Sequence, residues 1–202
     1  YLMDQVRRSE PDISIPVPEM PDRIPVHGVE FAEFAADEEE AAQLGAMLHT
    51  LGFRRAGKHV SKDVGLWRQG EINIVINTER QGFAHSAYVM HGTSVCNIGL
   101  RVDDAHATVE RARALGAELF EQHVGPGELH IPAIRGVGGG LVHFIDAKSD
   151  LARVWDIEFV PVADDTQSCD AGLKRIDHMA QTMDGKEMLT WQLFYTAIFD
   201  MA

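Results

Sequence analysis

With 202 residues, 45% of them hydrophobic, the chain is long enough to bury one large core or two small ones. Its 31 acidic against 18 basic side chains give a formal charge of -13, which excludes binding of nucleic acid or an anionic membrane through a general basic surface and favours a small-molecule or protein partner. Two cysteines, Cys96 and Cys169, are too few for a disulfide framework, and no apolar run reaches the roughly 20 residues of a membrane span, so a cytoplasmic protein is expected.

Residues 1–8 read as the end of a helix entered from upstream. Pro11, Pro16, Pro18, Pro21 and Pro25, five of the eight prolines, then favour an extended linker, and a domain boundary is placed there, at 1–27. From Gly28 the pattern becomes a strand with Val29, Phe31 and Glu33 on one face and Glu30, Ala32 and Phe34 on the other. Asp37 has the character of a helix N-cap, with Glu38, Glu39 and Glu40 complementing the dipole of the first turn. Leu44, Met47, Leu48 and Leu51 follow at helical spacing, and Gly52 closes the helix. Strands are expected at 54–60, 64–69 and 72–77, the last two joined by a turn at Gly70-Glu71.

The same order recurs further on. Residues 95–102 read as a strand, Asp103-Asp104 as a helix start, and Val109, Ala112 and Leu115 as the buried face of a helix ended by Gly116. Strands beginning at Leu119 and spanning 129–134 and 141–145 complete it, the last two joined by a turn at Gly138-Gly139-Gly140. The expected fold is therefore α+β, a complete pair of βαβββ units over 28–146, followed by a connector at 147–172. A third start, a strand over 173–180 and a helix placing Met188, Trp191, Tyr195 and Ile198 on one stripe, reads as the truncated beginning (173–202) of a second pair. Aligning the strand starts puts Phe31, Asn97 and His178 at one shared position.

Of the three, His178 carries the chemistry. It is expected on the strand face that also holds Ile176, where an imidazole can reach an enclosed metal, with Asp177 on the opposite face. The other histidines give no helical metal-ligand pair: His85 and His91 fall in a Gly- and Ser-bearing stretch read as a loop, and His123 and His130 flank the Gly125-Pro126-Gly127 turn. Residues 136–140 lack the Lys-Ser or Lys-Thr of a phosphate loop, and Cys96, inside an apolar strand with no basic neighbour, reads as inert core.

A unit of this order used in pairs resembles the vicinal-oxygen-chelate superfamily. The wording resembles the 4-hydroxyphenylpyruvate dioxygenase family in particular, at Val29-Glu30-Phe31-Ala32-Glu33-Phe34, at Trp155-Asp156-Ile157-Glu158-Phe159-Val160 and at Gly172-Leu173-Lys174-Arg175-Ile176-Asp177-His178, extended by Trp191, Phe194-Tyr195 and Phe199. The Pro-rich entry, with Leu66-Trp67-Arg68-Gln69-Gly70 and Phe83-Ala84-His85-Ser86, is most similar to the C-terminal half of bacterial two-domain 3-dehydroshikimate dehydratases, in which an upstream metal-dependent barrel is fused to a dioxygenase-like half. The resemblance implies a parent enzyme of aromatic or quinate-shikimate catabolism, a dioxygenase and/or a lyase. Its implied small-molecule substrate is an aromatic 2-oxo acid or a shikimate-pathway acid, and homo-oligomerisation is left open. It also implies a divalent metal, Fe(II), held by two histidines and one carboxylate, with His178 as the first histidine and the other two ligands beyond residue 202. In the first pair the corresponding positions hold Phe31, Asn97 and His143, so that half is expected to be structural. The alternative reading is a non-catalytic structural or regulatory domain of the dehydratase, and on either reading these residues alone are expected to be inactive.

Overall fold

The computed structural model describes residues 19–163 and 170–201; the expected helix end at 1–8, most of the Pro-rich stretch and Cys169 lie outside the described residues. The first unit runs β1 (Val26–Ala35), α1 (Glu38–Thr50), β2 (Arg54–His59), β3 (Val64–Gln69) and β4 (Ile72–Asn77). Asp37 caps α1 as expected, its carboxylate accepting from the Glu40 N–H at 2.8 Å. A second helix, α2 (Gly82–His91), then crosses to the second unit: β5 (Ser94–Val102), α3 (Ala105–Ala114), β6 (Leu119–Phe120), β7 (Ala133–Arg135) and β8 (Leu141–Asp146). Asp104 caps α3 by accepting from the Ala107 N–H, and Asp146 fixes the same end by accepting from the N–H groups of Ala105, Lys148 and Ser149.

All strands join one sheet in the order β6-β7-β8-β5-β1-β4-β3-β2-β9, where β9 (Phe159–Pro161) follows the short helix α4 (Val154–Ile157) and adds to the edge of β2. In each unit the last strand returns parallel to the first, β4 beside β1 and β8 beside β5, and β1 pairs antiparallel with β5 at the centre. The central register matches Phe31 with Gly99 and Glu33 with Asn97. A shift of 66 positions (97 - 31) exchanges these two pairs, so the two units are related by an approximate two-fold between β1 and β5, and Phe31 and Asn97 are equivalent. One face of the sheet packs on helices: Ala32, Ile72, Ile74 and Ile76 on α1, and Ile98, Val142 and Phe144 in the larger core with Ala112 of α3. The other face, holding Phe31, Glu33, Val75, Asn97, Leu141 and His143, curves into a cup.

Three expectations require correction. His85 and His91 lie on helix α2 rather than in a loop; Gln81 offers no side-chain cap, and the helix is held by packing of Phe83 and Ala84 against Ala35 and Cys96. The strand expected at 129–134 is reduced to Ala133–Arg135, because Glu128 and Leu129 are drawn off the ladder by bonds to Lys62 and Glu158. The strand expected at 173–180 does not form. A strand needs a ladder, and this segment has only the Glu71 N–H to Lys174 carbonyl bond, with Leu173 N–H donating to the Gln69 side chain. Gly70, at φ +57°, admits the segment: a Cβ there would meet the Leu173 carbonyl oxygen at 2.6 Å.

Helix α5 (Met188–Phe199) forms as expected, but only its last turns dock. Phe194, Tyr195, Ile198 and Phe199 reach the larger core, while Met188, at the start of the expected stripe, is exposed. Buried Arg111 of α3 holds this end, donating to the carbonyls of Ala197, Ile198, Asp22 and Pro21. No helix among the described residues is long and apolar enough to cross a membrane.

Candidate functional site

Strand alternation aims Phe31 and Glu33 of β1, Val75 and Asn77 of β4, Asn97 of β5, and Leu141 and His143 of β8 into the cup, which encloses a cavity of about 520 Å³. The Phe31 ring lies flat across β5 because its partner is glycine: a Cβ on Gly99 would stand 2.2 Å from the ring. From there the ring meets Trp155 edge-on at 5.7 Å and His143 at 5.8 Å, and Trp155 in turn contacts Phe159. Phe83 of α2 and Phe120 of β6, in contact at 5.4 Å, form the opposite wall, and the exposed residues Gln81, Gln122 and His123 mark the mouth.

Inside this aromatic lining the polar groups converge. The Glu33 carboxylate accepts from the side-chain amides of Asn77 and Asn97, both at 2.7 Å and one on each oxygen. Buried His59 accepts from the Ser61 N–H through Nδ1, which places the proton on Nε2, 3.3 Å from Glu158 Oε2. The other Glu158 oxygen accepts from the Leu129 N–H. His143 is fully enclosed, and burial pushes its pKa down to about 4, with a backbone hydrogen bond at Ile131 acting weakly the other way. The ring is therefore neutral at physiological pH. Near the mouth, burial would raise the Glu128 pKa, but bonds from Ser61, the Gly125 N–H and Lys62 outweigh it and hold the group at about 2.

His178 lies away from this cavity. Its side chain is 83% exposed, with Nδ1 at 2.9 Å from Asp177 Oδ1, so Asp177 turns toward the ring rather than to an opposite strand face. The structure thus brings Phe31, Asn97 and His143 together, as the resemblance implied, and leaves His178 apart from them. Among the described residues no group of three His, Cys, Asp or Glu side chains is placed to hold a metal ion. The donor set at His178 is one imidazole with a carboxylate partner, and it fits a metal only in company with ligands from outside the described residues. Cys96 is buried core, its thiol pKa pushed up by burial.

Glu33, Asn77 and the His59–Glu158 pair were not singled out by the sequence. For Glu33 a signal existed, a carboxylate on the same strand face as Phe31; His59 and Glu158, 99 positions apart, gave none.

Residues 21–160, which include strands β1 to β8 and the start of β9, match the family model described as hydroxyphenylpyruvate dioxygenase (HPPD), N-terminal. The chain is 42% identical over 173 residues to a 3-dehydroshikimate dehydratase of Pseudomonas aeruginosa, covering 86% of this chain but 27% of that one. It is 37% identical over 174 residues to a 4-hydroxyphenylpyruvate dioxygenase of a Pseudomonas species, covering 86% of this chain and 48% of that one. Among solved structures it is similar to a xylose isomerase-like TIM barrel/4-hydroxyphenylpyruvate dioxygenase fusion protein, with a TM-score of 0.83 and 39% identity over 98% of this chain and 31% of that one. The chain thus spans about a quarter of the dehydratase and about half of the dioxygenase it matches. With the paired βαβββ units, the two-fold between β1 and β5 and the cup all inside the matched residues, the chain belongs to the hydroxyphenylpyruvate dioxygenase N-terminal family, a vicinal-oxygen-chelate fold.

Proposed function

We propose that these residues belong to a cytoplasmic 3-dehydroshikimate dehydratase in which a barrel is fused to a dioxygenase-like module. In this reading the paired units, 28–146, are the half without a metal, the connector is 147–172, and 173–202 opens the metal-binding half with His178 as its first ligand. Support for the parent comes from the relatives, where identity to the dehydratase (42%) exceeds identity to the dioxygenase (37%). The observation that carries the role of His178 is local. Asp177 takes one ring nitrogen and leaves Nε2 to solvent, the arrangement in which a carboxylate fixes the tautomer of a metal-binding histidine. A divalent ion bound there, Fe(II) by family, would supply Lewis-acid and oxygen chemistry toward a small acid; a second histidine and a carboxylate would come from elsewhere in the parent. Leu189 and Leu193 of α5, 78% and 66% exposed, offer the apolar surface that such neighbouring strands would cover.

A second reading, a non-catalytic structural or regulatory module of the same dehydratase, is favoured by the cup itself, where a phenyl ring occupies the Phe31 position and amides engage both oxygens of Glu33. Metal analysis and activity on the full parent chain separate the two. If His178 is a ligand, His178→Ala lowers bound metal by about one ion per chain while dehydration of 3-dehydroshikimate by the barrel persists. Unchanged metal content on His178→Ala sinks the ligand role, and a full chain without dehydratase activity sinks the parentage.

A further inference from the structure

A second cavity, of about 380 Å³, lies beside the β3–β4 turn and is lined by Arg54, Arg68 and Arg101 together with Glu30, Glu71 and Asn73. The ladder sets the first two side by side. Arg54 of β2 pairs with Arg68 of β3, and Arg68 pairs with Asn73 of β4, so the three side chains leave one face of the sheet as neighbours. Like charges directly opposite each other across a ladder repel and cost stability. In a chain with 31 acidic side chains, such a pair left without a counter-charge calls for a cause.

The two carboxylates of the cavity do not supply that charge, because both serve Arg101. Glu30 Oε2 stands 2.9 Å from the Arg101 Nε, and Glu71 Oε2 accepts from its Nη1 at 3.4 Å. The other Glu30 oxygen accepts from Trp155 Nε1 at 2.8 Å. Arg54 and Arg68 form no ion pair among the described residues, although Arg68 is firmly placed. Its Nε donates to Asn73 Oδ1 at 2.7 Å, and its guanidinium lies over the Trp155 ring, 5.4 Å from the centroid. The Asn73 amide is fixed in turn by donating to the Glu30 carbonyl at 2.9 Å. Burial first, and then the Arg54 charge, lowers the Arg68 pKa against the opposing pull of Asp156 and Glu30. Two planar, permanently charged donor forks therefore face one cavity, one anchored and one exposed, with two positive charges to be matched.

We propose that Arg54 and Arg68 form a binding site for a small dianionic oxyanion, phosphate or an organic dicarboxylate, seated between the two guanidinium groups beside the β3–β4 turn. Arg68, held by Asn73 and Trp155, is the fixed half of the clamp, and exposed Arg54 completes it. The site shares no residue with the proposed metal site and does not depend on it.

The test titrates the full parent chain with inorganic phosphate, malonate and acetate by calorimetry, at constant ionic strength so that general screening is the same for every probe. The wild type is compared with Arg54→Gln, which replaces an exposed side chain, and with Arg55→Gln, which removes an exposed arginine that does not line the cavity. The expected result is one saturable site for phosphate or malonate with a Kd below about 10 mM, at least about tenfold tighter than for acetate. Arg54→Gln should weaken that site at least about tenfold, and Arg55→Gln by less than about twofold. Phosphate ahead of malonate assigns the site to phosphate, and the reverse order assigns it to a dicarboxylate. No saturable binding below about 10 mM, acetate as tight as the dianions, an affinity untouched by Arg54→Gln, or equal losses in the two variants would overturn the proposal.

Discussion

The paired units and the C-terminal segment, 170–201, are built on opposite terms. In the paired units nearly every functional side chain is fixed by a ladder: Glu33 faces Asn97, Phe31 lies over Gly99, and His143 follows from the register of β8. The C-terminal segment has no ladder. It is held by Leu173 and Lys174 at the β3–β4 hairpin, by Ile176 against the α1 cluster, and by Phe194, Ile198 and Phe199 in the larger core, with the exposed Asp177–His178 pair between. One region carries a preorganised cavity, and the other carries a side chain that surrounding structure would have to orient. A histidine on a sheet arrives with its partners, whereas one on an extended segment needs them supplied.

The sharpest way to break this comparison is to release the segment alone. Arg111 donates to four carbonyls, two at the end of α5 and two in the entry at Pro21 and Asp22, and its removal strands them in a buried place. Arg111→Met is expected to cost roughly 3–5 kcal/mol, since bonds from a charged donor count for more than neutral ones. Hydrogen exchange should show α5 losing protection while β1, β4 and β5 keep theirs. Equal loss in both regions would mean that the segment is part of the core rather than an attachment to it.

Next in size is the pH dependence of the cup. His143 has an ordinary pKa of 6.5 and is held near 4 by burial, so between those values the unfolded chain takes up a proton that the folded one refuses. Stability should be constant above pH 6.5 and fall as the pH drops toward 4, by on the order of 3 kcal/mol in all. His143→Phe should flatten the profile in chemical denaturation across that window. A smaller effect runs lower on the scale. Glu128, ordinarily at 4.5 and held at about 2, ties the 125–129 loop to Ser61 and Lys62, and that contribution is complete above pH 4.5 and lost as pH falls through 2. Glu128→Gln should cost roughly 1–2 kcal/mol at neutral pH, discounted because Lys62 is partly solvated.

How much of this was legible in the sequence follows the same division. Where local chemistry and ladder agree, residues announce themselves: Asp37 and Asp104 both cap, and the spacing of Phe31 and Asn97 is the two-fold itself. Helix α2 was missed because its start has no capping side chain and its stability comes from Phe83 and Ala84 against a distant surface. The strand at 173–180 was misread for the converse reason. Ile176 and His178 alternate as strand residues do, but alternation describes one chain while a strand requires two, and here Ile176 packs beneath α1 while His178 faces solvent. The His59–Glu158 pair was invisible for lack of any local pattern across 99 positions.

The smallest effect on stability is the most telling about function. His178→Ala removes a side chain that is 83% exposed and touches Asp177 alone among the described side chains to which it hydrogen-bonds. An exposed hydrogen bond of this kind is worth little in water, so the unfolding midpoint should stay at the wild-type value. A residue with no structural task can still be indispensable to a site that other parts of the parent complete. The discriminating result is therefore a variant that folds as the wild type does and yet binds less metal. A variant that loses several kcal/mol would place His178 in the scaffold instead, and the contrast between the preorganised cup and the open segment would then be wrong at the residue on which it depends most.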